Sequence, residues 1–306
     1  MDTILIPDGP LDAEATLARY RVWGEDPTNR LGEGVFRRVL RLDGALVPYE
    51  VRWSGPPDDA RLHVHAPAAG GERARAALVG EVRRVFGLDF DLAGFYRMAK
   101  SDRVLAGLVE PLYGLRPTLS PAPLEMLVHA IAAQQVNLTF AFALRAGIVR
   151  RWGTAVAVGG DTVWAFPEAA TLAAVRTSSL RRLKFSTSKA ESIRGVARAI
   201  ASGELDVEAL SAAAEEEIVE RLTALRGIGR WTADWFMARC LGRGAVCPAG
   251  DLAVRKAFER CYGRGRTLDE TAIRRRAAAW GPYQNLAIHY LLAGMRLARP
   301  TTGGGA

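Results

Sequence analysis

Beyond about residue 90, apolar side chains recur at helical spacing almost throughout, and proline and glycine cut the run into segments. Pro111, Gly114, Pro117, Pro121, Pro123, Gly153, Gly159-Gly160 and Pro167 supply the punctuation. Leu124, Leu127, Val128 and Ile131 mark an apolar helix from Pro123 to Gln135. A second helix follows Asn137 and ends near Trp152, and others are expected over 168–175, 189–202 and 212–225. A chain patterned in this way folds as a mainly α protein.

The first ninety residues read differently. Val35–Leu42 and Leu46–Trp53 are β-prone runs around Asp43-Gly44, a hairpin signal, and Arg61–His65 alternates as a half-buried strand does. Pro48 suggests that the second run is an edge strand or bulged. Ala76, Leu78, Val79, Val82 and Val85 share one side of a helix over 72–86. His63 and His65 share a strand face but lack a third ligand nearby, so they read as exposed histidines rather than a metal site. The expected organisation is an α+β domain with an antiparallel sheet over 1–90, a helical core over 91–300, and a Gly-rich disordered tail over 301–306.

Charge separates these regions further. Residues 1–100 carry 14 basic and 15 acidic side chains, whereas residues 221–300 carry 15 and 5. A cationic C-terminal third suits a polyanion-binding face, although charge alone reads equally well as a solvated Arg-rich surface. No run of about 18 apolar residues exists, which excludes a transmembrane helix, and the N-terminus lacks a secretory pattern. Cys240, Cys247 and Cys261 are three cysteines without a CxxC, which points to a reducing cytoplasm rather than a disulfide scaffold or zinc ribbon.

The segment Leu225-Arg226-Gly227-Ile228-Gly229-Arg230-Trp231-Thr232-Ala233-Asp234-Trp235 joins two helix-compatible stretches through Gly-x-Gly. Glycines there permit positive φ and clear side chains from the turn, so the backbone N–H groups of Gly227, Gly229 and Arg230 can face a phosphate at a helix start. Alone, the pattern reads more readily as an ordinary αα-hairpin with a glycine C-cap. Twenty residues on, Val246–Asp251 is a loop, and Asp251 stands in N-cap position before Leu252–Phe258.

The combination of LRGIGRWTADW, a loop and PAGD before a helix resembles the helix-hairpin-helix DNA glycosylase superfamily, with the hairpin over 213–241. Ala130-Ile131-Ala132-Ala133-Gln134-Gln135-Val136-Asn137 looks like the AIxxQQV segment of its alkylpurine branch, the DNA-3-methyladenine glycosylase II group. Ala279-Trp280-Gly281-Pro282-Tyr283 is similar to that branch's W-x-P-[WY] segment. The family's usual glycine within Leu183–Ser186 is replaced by Lys184, which puts that turn in doubt. The resemblance implies two helical subdomains flanking a cleft, beside the N-terminal α+β domain.

What the resemblance implies for function can be stated residue by residue. Bifunctional relatives carry a Schiff-base lysine where this chain has Trp231, so a monofunctional glycosylase is expected, with Lys256 outside the matching position. Asp251 would be the catalytic residue, stabilising an oxocarbenium-like state or orienting water, and a helix N-terminus favours its negative charge. Trp231, Trp235, Tyr283 and Gln134 would line a pocket that attracts cationic alkylated purines. An aromatic on a helix taken singly reads first as core, and the family match favours the pocket for Trp231 and Tyr283 and leaves Trp235 even. Gln135 would fill the gap left by a flipped base, and Thr232 would add a hydroxyl to the phosphate contact. Asp234 reads as a helix-surface charge without a role. Backbone carbonyls of Thr223, Leu225 and Ile228 would hold a monovalent cation. No other cofactor is implied, and three cysteines cannot hold an iron–sulfur cluster. The expected partner is damaged double-stranded DNA, bound by a monomer in the cytoplasm. The rival readings are a glycosylase for another damaged base and a non-catalytic DNA-binding protein.

Overall fold

The computed structural model describes residues 1–297; the expected tail at 301–306 lies outside them. Strands β1 (Asp2–Leu5), β2 (Arg30–Gly32), β3 (Val35–Leu42), β4 (Ala45–Ser54) and β5 (Arg61–His65) form an antiparallel sheet in the order β1-β5-β4-β3-β2. Asp43 and Gly44 both have positive φ, at 50° and 79°, as a two-residue turn between twisted strands requires. β4 is thus an interior strand, which corrects the edge expectation from Pro48. β5 covers only Glu50–Ser54 of it, and Pro48 lies in the uncovered half, opposite Val39. Counting pairs from the closing Leu42–Ala45 pair puts Pro48 in a non-hydrogen-bonded pair, so its missing N–H costs the ladder nothing.

The helix Gly71–Val85 buries Ala74, Leu78, Val82 and Val85 against this sheet, whereas Ala76 is exposed and Val79 half-buried. Tyr49, Val51, Leu62 and Phe86 complete that core. His63 and His65 are exposed and bond to Ser54 and Asp2.

Beyond the sheet the chain is helical, with one exception that periodicity did not disclose. β6 (Thr154–Val158) and β7 (Asp161–Ala165) form a hairpin closed by Gly159 and Gly160, both at positive φ. Val158, Val163 and Ala165 pack with Val39 of β3, which ties this hairpin to the N-terminal sheet.

The helices enclose two further apolar cores. One gathers residues from Met126 to Val246, including the helices Pro123–Ala133, Leu138–Trp152 and Thr187–Ser202. The other joins Leu92–Leu115 to Cys247–Ala293, so the chain leaves this core and returns to it. The return crossing is the Val246–Cys247 bond, and Trp235 packs against both cores.

Polar groups join the sheet to the helices. Arg116 is fully buried and donates to the carbonyls of Asp8, Pro10, Gly87, Leu88 and Phe90. Arg38 on β3 reaches Glu125 at 2.7 Å and Glu81 at 3.1 Å, and Arg145 reaches Asp26 at 2.7 Å and also Glu125. Each charged member of this network finds an opposite charge, which offsets the cost of burying it, whereas Arg116 is satisfied by carbonyls alone.

Candidate active site

The helix Glu215–Thr223 buries Ile218 and Leu222, and after a short turn the helix Arg230–Phe236 begins. Gly227 sits at φ 81°, and a Cβ there would fall 1.9 Å from Ser192 Oγ, so both conformation and space demand glycine. Gly229 is extended at φ −110°, ψ 178°, so only the first glycine uses left-handed freedom. Gly229 is the N-cap without a side chain, which leaves the first N–H groups of this helix exposed at the surface.

The carboxamide of Gln134 braces the turn. Its Nε2 donates to the Gly227 carbonyl at 2.9 Å and lies 3.5 Å from Thr232 Oγ1. Gln134 is thus half-buried and bonded to the turn of the hairpin. Thr232 is 1% exposed, so its hydroxyl is turned to Gln134 and not to a phosphate. The helix Pro123–Ala133 ends before both glutamines, and Gln135 takes φ 55°, a left-handed bend that lifts it into solvent. Exposed Val136, Leu138 and Phe140 follow it.

Arg230 owes its position to Asp234, which is 1% exposed rather than a surface charge. Arg230 Nε meets one oxygen of Asp234 at 2.8 Å, and Arg274 Nη2 meets the other at 2.7 Å. Asp234 thereby links the hairpin to the helix Glu270–Ala278 of the second core.

Asp251 is the N-cap of the helix Leu252–Tyr262, and its Oδ1 accepts from Ala253 N at 2.8 Å and Val254 N at 3.1 Å. The other oxygen, Oδ2, accepts from Trp231 Nε1 at 2.9 Å and Trp235 Nε1 at 3.1 Å. Four N–H groups hold the carboxylate, all of them neutral, and no cation pairs with it among the described residues. One-turn spacing aims both indoles at Asp251, and the Arg239 guanidinium stacks 5.5 Å behind the Trp235 ring.

Tyr283 is half-buried on the second core, where its hydroxyl donates to Asp91 Oδ2 at 2.9 Å and its ring lies 6.4 Å from Phe95. The Gly94 N–H and then this hydroxyl hold the Asp91 carboxyl below its ordinary range. Tyr283 thus bonds to Asp91 and not to the Asp251 group. Lys256 is exposed on the helix that Asp251 caps.

Of the three carbonyls expected to face a cation, that of Leu225 accepts from Ile228 N at 3.1 Å. Those of Thr223 and Ile228 accept no hydrogen bond among the described residues, which leaves their lone pairs available for an ion. Lys184 sits at φ 70°, so the turn keeps the left-handed geometry that glycine would favour. It leads into Ser186, which caps the helix carrying Ser192 against Gly227.

Residues 128–282, about half the chain, match the model of the HhH-GPD superfamily of base excision DNA repair proteins. A DNA-3-methyladenine glycosylase of Bacillus subtilis is 32% identical over 217 residues, covering 71% of this chain and 72% of the relative. The solved 3-methyladenine DNA glycosylase of Archaeoglobus fulgidus superposes with a TM-score of 0.86 at 29% identity, over 98% of this chain and all of that one. The 3-methyladenine DNA glycosylase of Schizosaccharomyces pombe, solved with abasic DNA, gives a TM-score of 0.59 at 26% identity, over 67% and 98%. The chain belongs to the HhH-GPD superfamily of base excision DNA repair proteins and, within it, to the DNA-3-methyladenine glycosylase family.

Proposed function

We propose that this DNA glycosylase is monofunctional and hydrolyses the N-glycosidic bond of alkylated purines of the 3-methyladenine and 7-methylguanine type, after flipping the base out of the duplex. The observation that carries the reading is the Asp251 carboxylate, fixed by four neutral N–H donors and, among the described residues, paired with no cation. Cleavage of the bond from C1′ to the base nitrogen sends the bonding electrons to the base and leaves an oxocarbenium-like sugar. A fixed negative charge stabilises that cation until water adds to C1′ and loses its proton. An alkylated purine that is already cationic departs as a neutral molecule and needs no general acid.

Trp231 occupies the position of a Schiff-base lysine, so the amine needed for strand cleavage is missing there. The exposed N–H groups at Gly229 and Arg230, with Arg230 held by Asp234, support phosphate binding by the hairpin. The left-handed bend at Gln135 and the apolar groups after it support insertion into the base stack. We place its action, as a monomer, in the cytoplasm.

Base release from purine-methylated duplex DNA, compared between the wild type and Asp251→Asn, tests the reading. The wild type should free 3-methyladenine without nicking before alkali treatment, and the variant should not. Release that persists in the variant removes Asp251 as the catalyst, and nicking before alkali refutes the monofunctional assignment. Binding without release from any methylated duplex moves the substrate to another lesion.

A further inference from the structure

Five buried side-chain nitrogens among the described residues have no hydrogen-bond partner, and three of them belong to His129, Arg239 and His289. These three form one neighbourhood. His129 and Arg239 line the same cavity, and Arg239 Nη2 lies 2.8 Å from His289 Nδ1. The cavity measures about 40 Å³ and lies where the helix Pro123–Ala133, the π-helical turn Met237–Leu241 and the segment following Arg19 converge.

Four guanidinium groups line it, those of Arg19, Arg38, Arg145 and Arg239, against two carboxylates, Asp26 and Glu125. Arg38 and Arg145 are already paired with those carboxylates. Among the described residues Arg19 hydrogen-bonds only to the Thr118 hydroxyl, at 3.4 Å, with the Tyr20 ring 5.7 Å away, and Arg239 has no acidic partner. Arg239 is 8% exposed, and its Nη1 is one of the orphaned nitrogens. Burial, then the nearby charges of Arg19 and Arg296, push its pKa down to about 9. Burial holds His129 neutral, with its pKa pushed down to about 3. A buried guanidinium without an anion is among the costliest arrangements a fold can keep.

We propose that this cavity binds one small inorganic anion, of chloride to nitrate size, between Arg239 and Arg19. A water molecule needs about 10–15 Å³ by the same measure. The volume therefore admits an anion of a few heavy atoms and excludes a nucleotide. His129, being neutral, can add a ring N–H. The anion would sit behind the active site rather than in it, because Arg239 stacks on Trp235, whose indole holds Asp251. The inference does not depend on which lesion the enzyme removes.

Thermal unfolding of the full chain in sodium chloride, sodium nitrate or sodium gluconate at equal ionic strength is the test, gluconate being too large to enter. Chloride or nitrate should give a saturable rise in Tm, about 2 °C at tenfold excess over the dissociation constant, and gluconate should not. Arg19→Gln should weaken the apparent affinity several-fold. Since Arg239→Gln can fail to fold, crystals of the wild type grown in bromide provide a second measurement, in which an anomalous peak is expected beside Arg239 Nη1. The same Tm response to all three salts overturns the proposal, and so does a water in place of bromide at that nitrogen.

Discussion

Glu125 and Asp251 are both carboxylates held by several partners, and they serve opposite ends. Glu125 is buried and meets two guanidiniums, Arg38 and Arg145, together with the Thr28 hydroxyl. Burial alone would raise its pKa, but the two arginines outweigh burial and hold it far below the carboxylate range. Asp251 accepts just as many contacts, all from neutral N–H groups. Cationic partners cancel a carboxylate's field at a distance, whereas neutral donors fix its position and leave its charge uncompensated. The first arrangement fastens a sheet to a helical core. The second, on the function proposed above, holds a carboxylate in place for a sugar cation that exists only during the reaction.

Glu125→Ala should produce the largest effect, a loss of about 3–5 kcal/mol measured by denaturant unfolding, because two buried guanidiniums lose their counter-ion. Activity per folded molecule should be unchanged. The acid limb of stability sharpens the point. The folded-state pKa of Glu125 is lowered, so its contribution is complete above the unfolded value near 4.5 and is lost as pH falls from there toward the folded value. Glu81, raised by burial, works in the opposite sense, so the slope should be read as the difference between wild type and Glu125→Gln. A pair of stability curves that stay parallel below pH 4.5 would break the contrast.

Asp251→Asn should lower base release by about 10²–10³-fold, the cost of removing one preorganised electrostatic group. Asparagine can still cap the helix with its one acceptor oxygen but turns an NH2 toward the two indole N–H groups. The loss of unfolding free energy should therefore stay within about 1–3 kcal/mol, below that at Glu125. A large loss of stability here would erase the difference between the two carboxylates. Trp235→Phe removes one indole donor to Oδ2, and turnover should fall about tenfold with KM little changed. An equal fall in binding would return Trp235 to the role of stacking surface. The smallest effect is expected at Lys184→Gly, which should gain about 0.5–1 kcal/mol by relieving a side chain at φ 70°.

Local chemistry was legible in the sequence to the extent that it was encoded within a few residues. The Asp43-Gly44 turn, the Asn137 cap of the helix Leu138–Trp152 and the Asp251 cap all lie where short-range patterns place them. The β6–β7 hairpin carried its own signal, β-prone runs around Gly159-Gly160, but those glycines read as helix punctuation amid helical neighbours. The indoles illustrate the boundary of such reading. Their shared face followed from one-turn spacing, but that both N–H groups reach Asp251 depends on the loop from Val246, whose path periodicity does not describe. Gln134 braces a turn 93 positions away, and Glu125 meets Arg38 at a separation of 87. Nothing near any of these residues marks its partner. Asp234 read as a surface charge for the same reason, since Arg274, 40 residues on, is what makes its burial tolerable.

Trp235 belongs to both helical cores, and the chain crosses between them at Val246–Cys247, just ahead of Asp251. The two indole bonds to the carboxylate are therefore a latch across a seam as well as supports of the proposed catalytic group. If the two cores part, Asp251 keeps its helix cap but gives up both bonds to Oδ2, and the charge is no longer aimed. Closure of the molecule and readiness for chemistry are then one event, reported by the surroundings of the same two tryptophans.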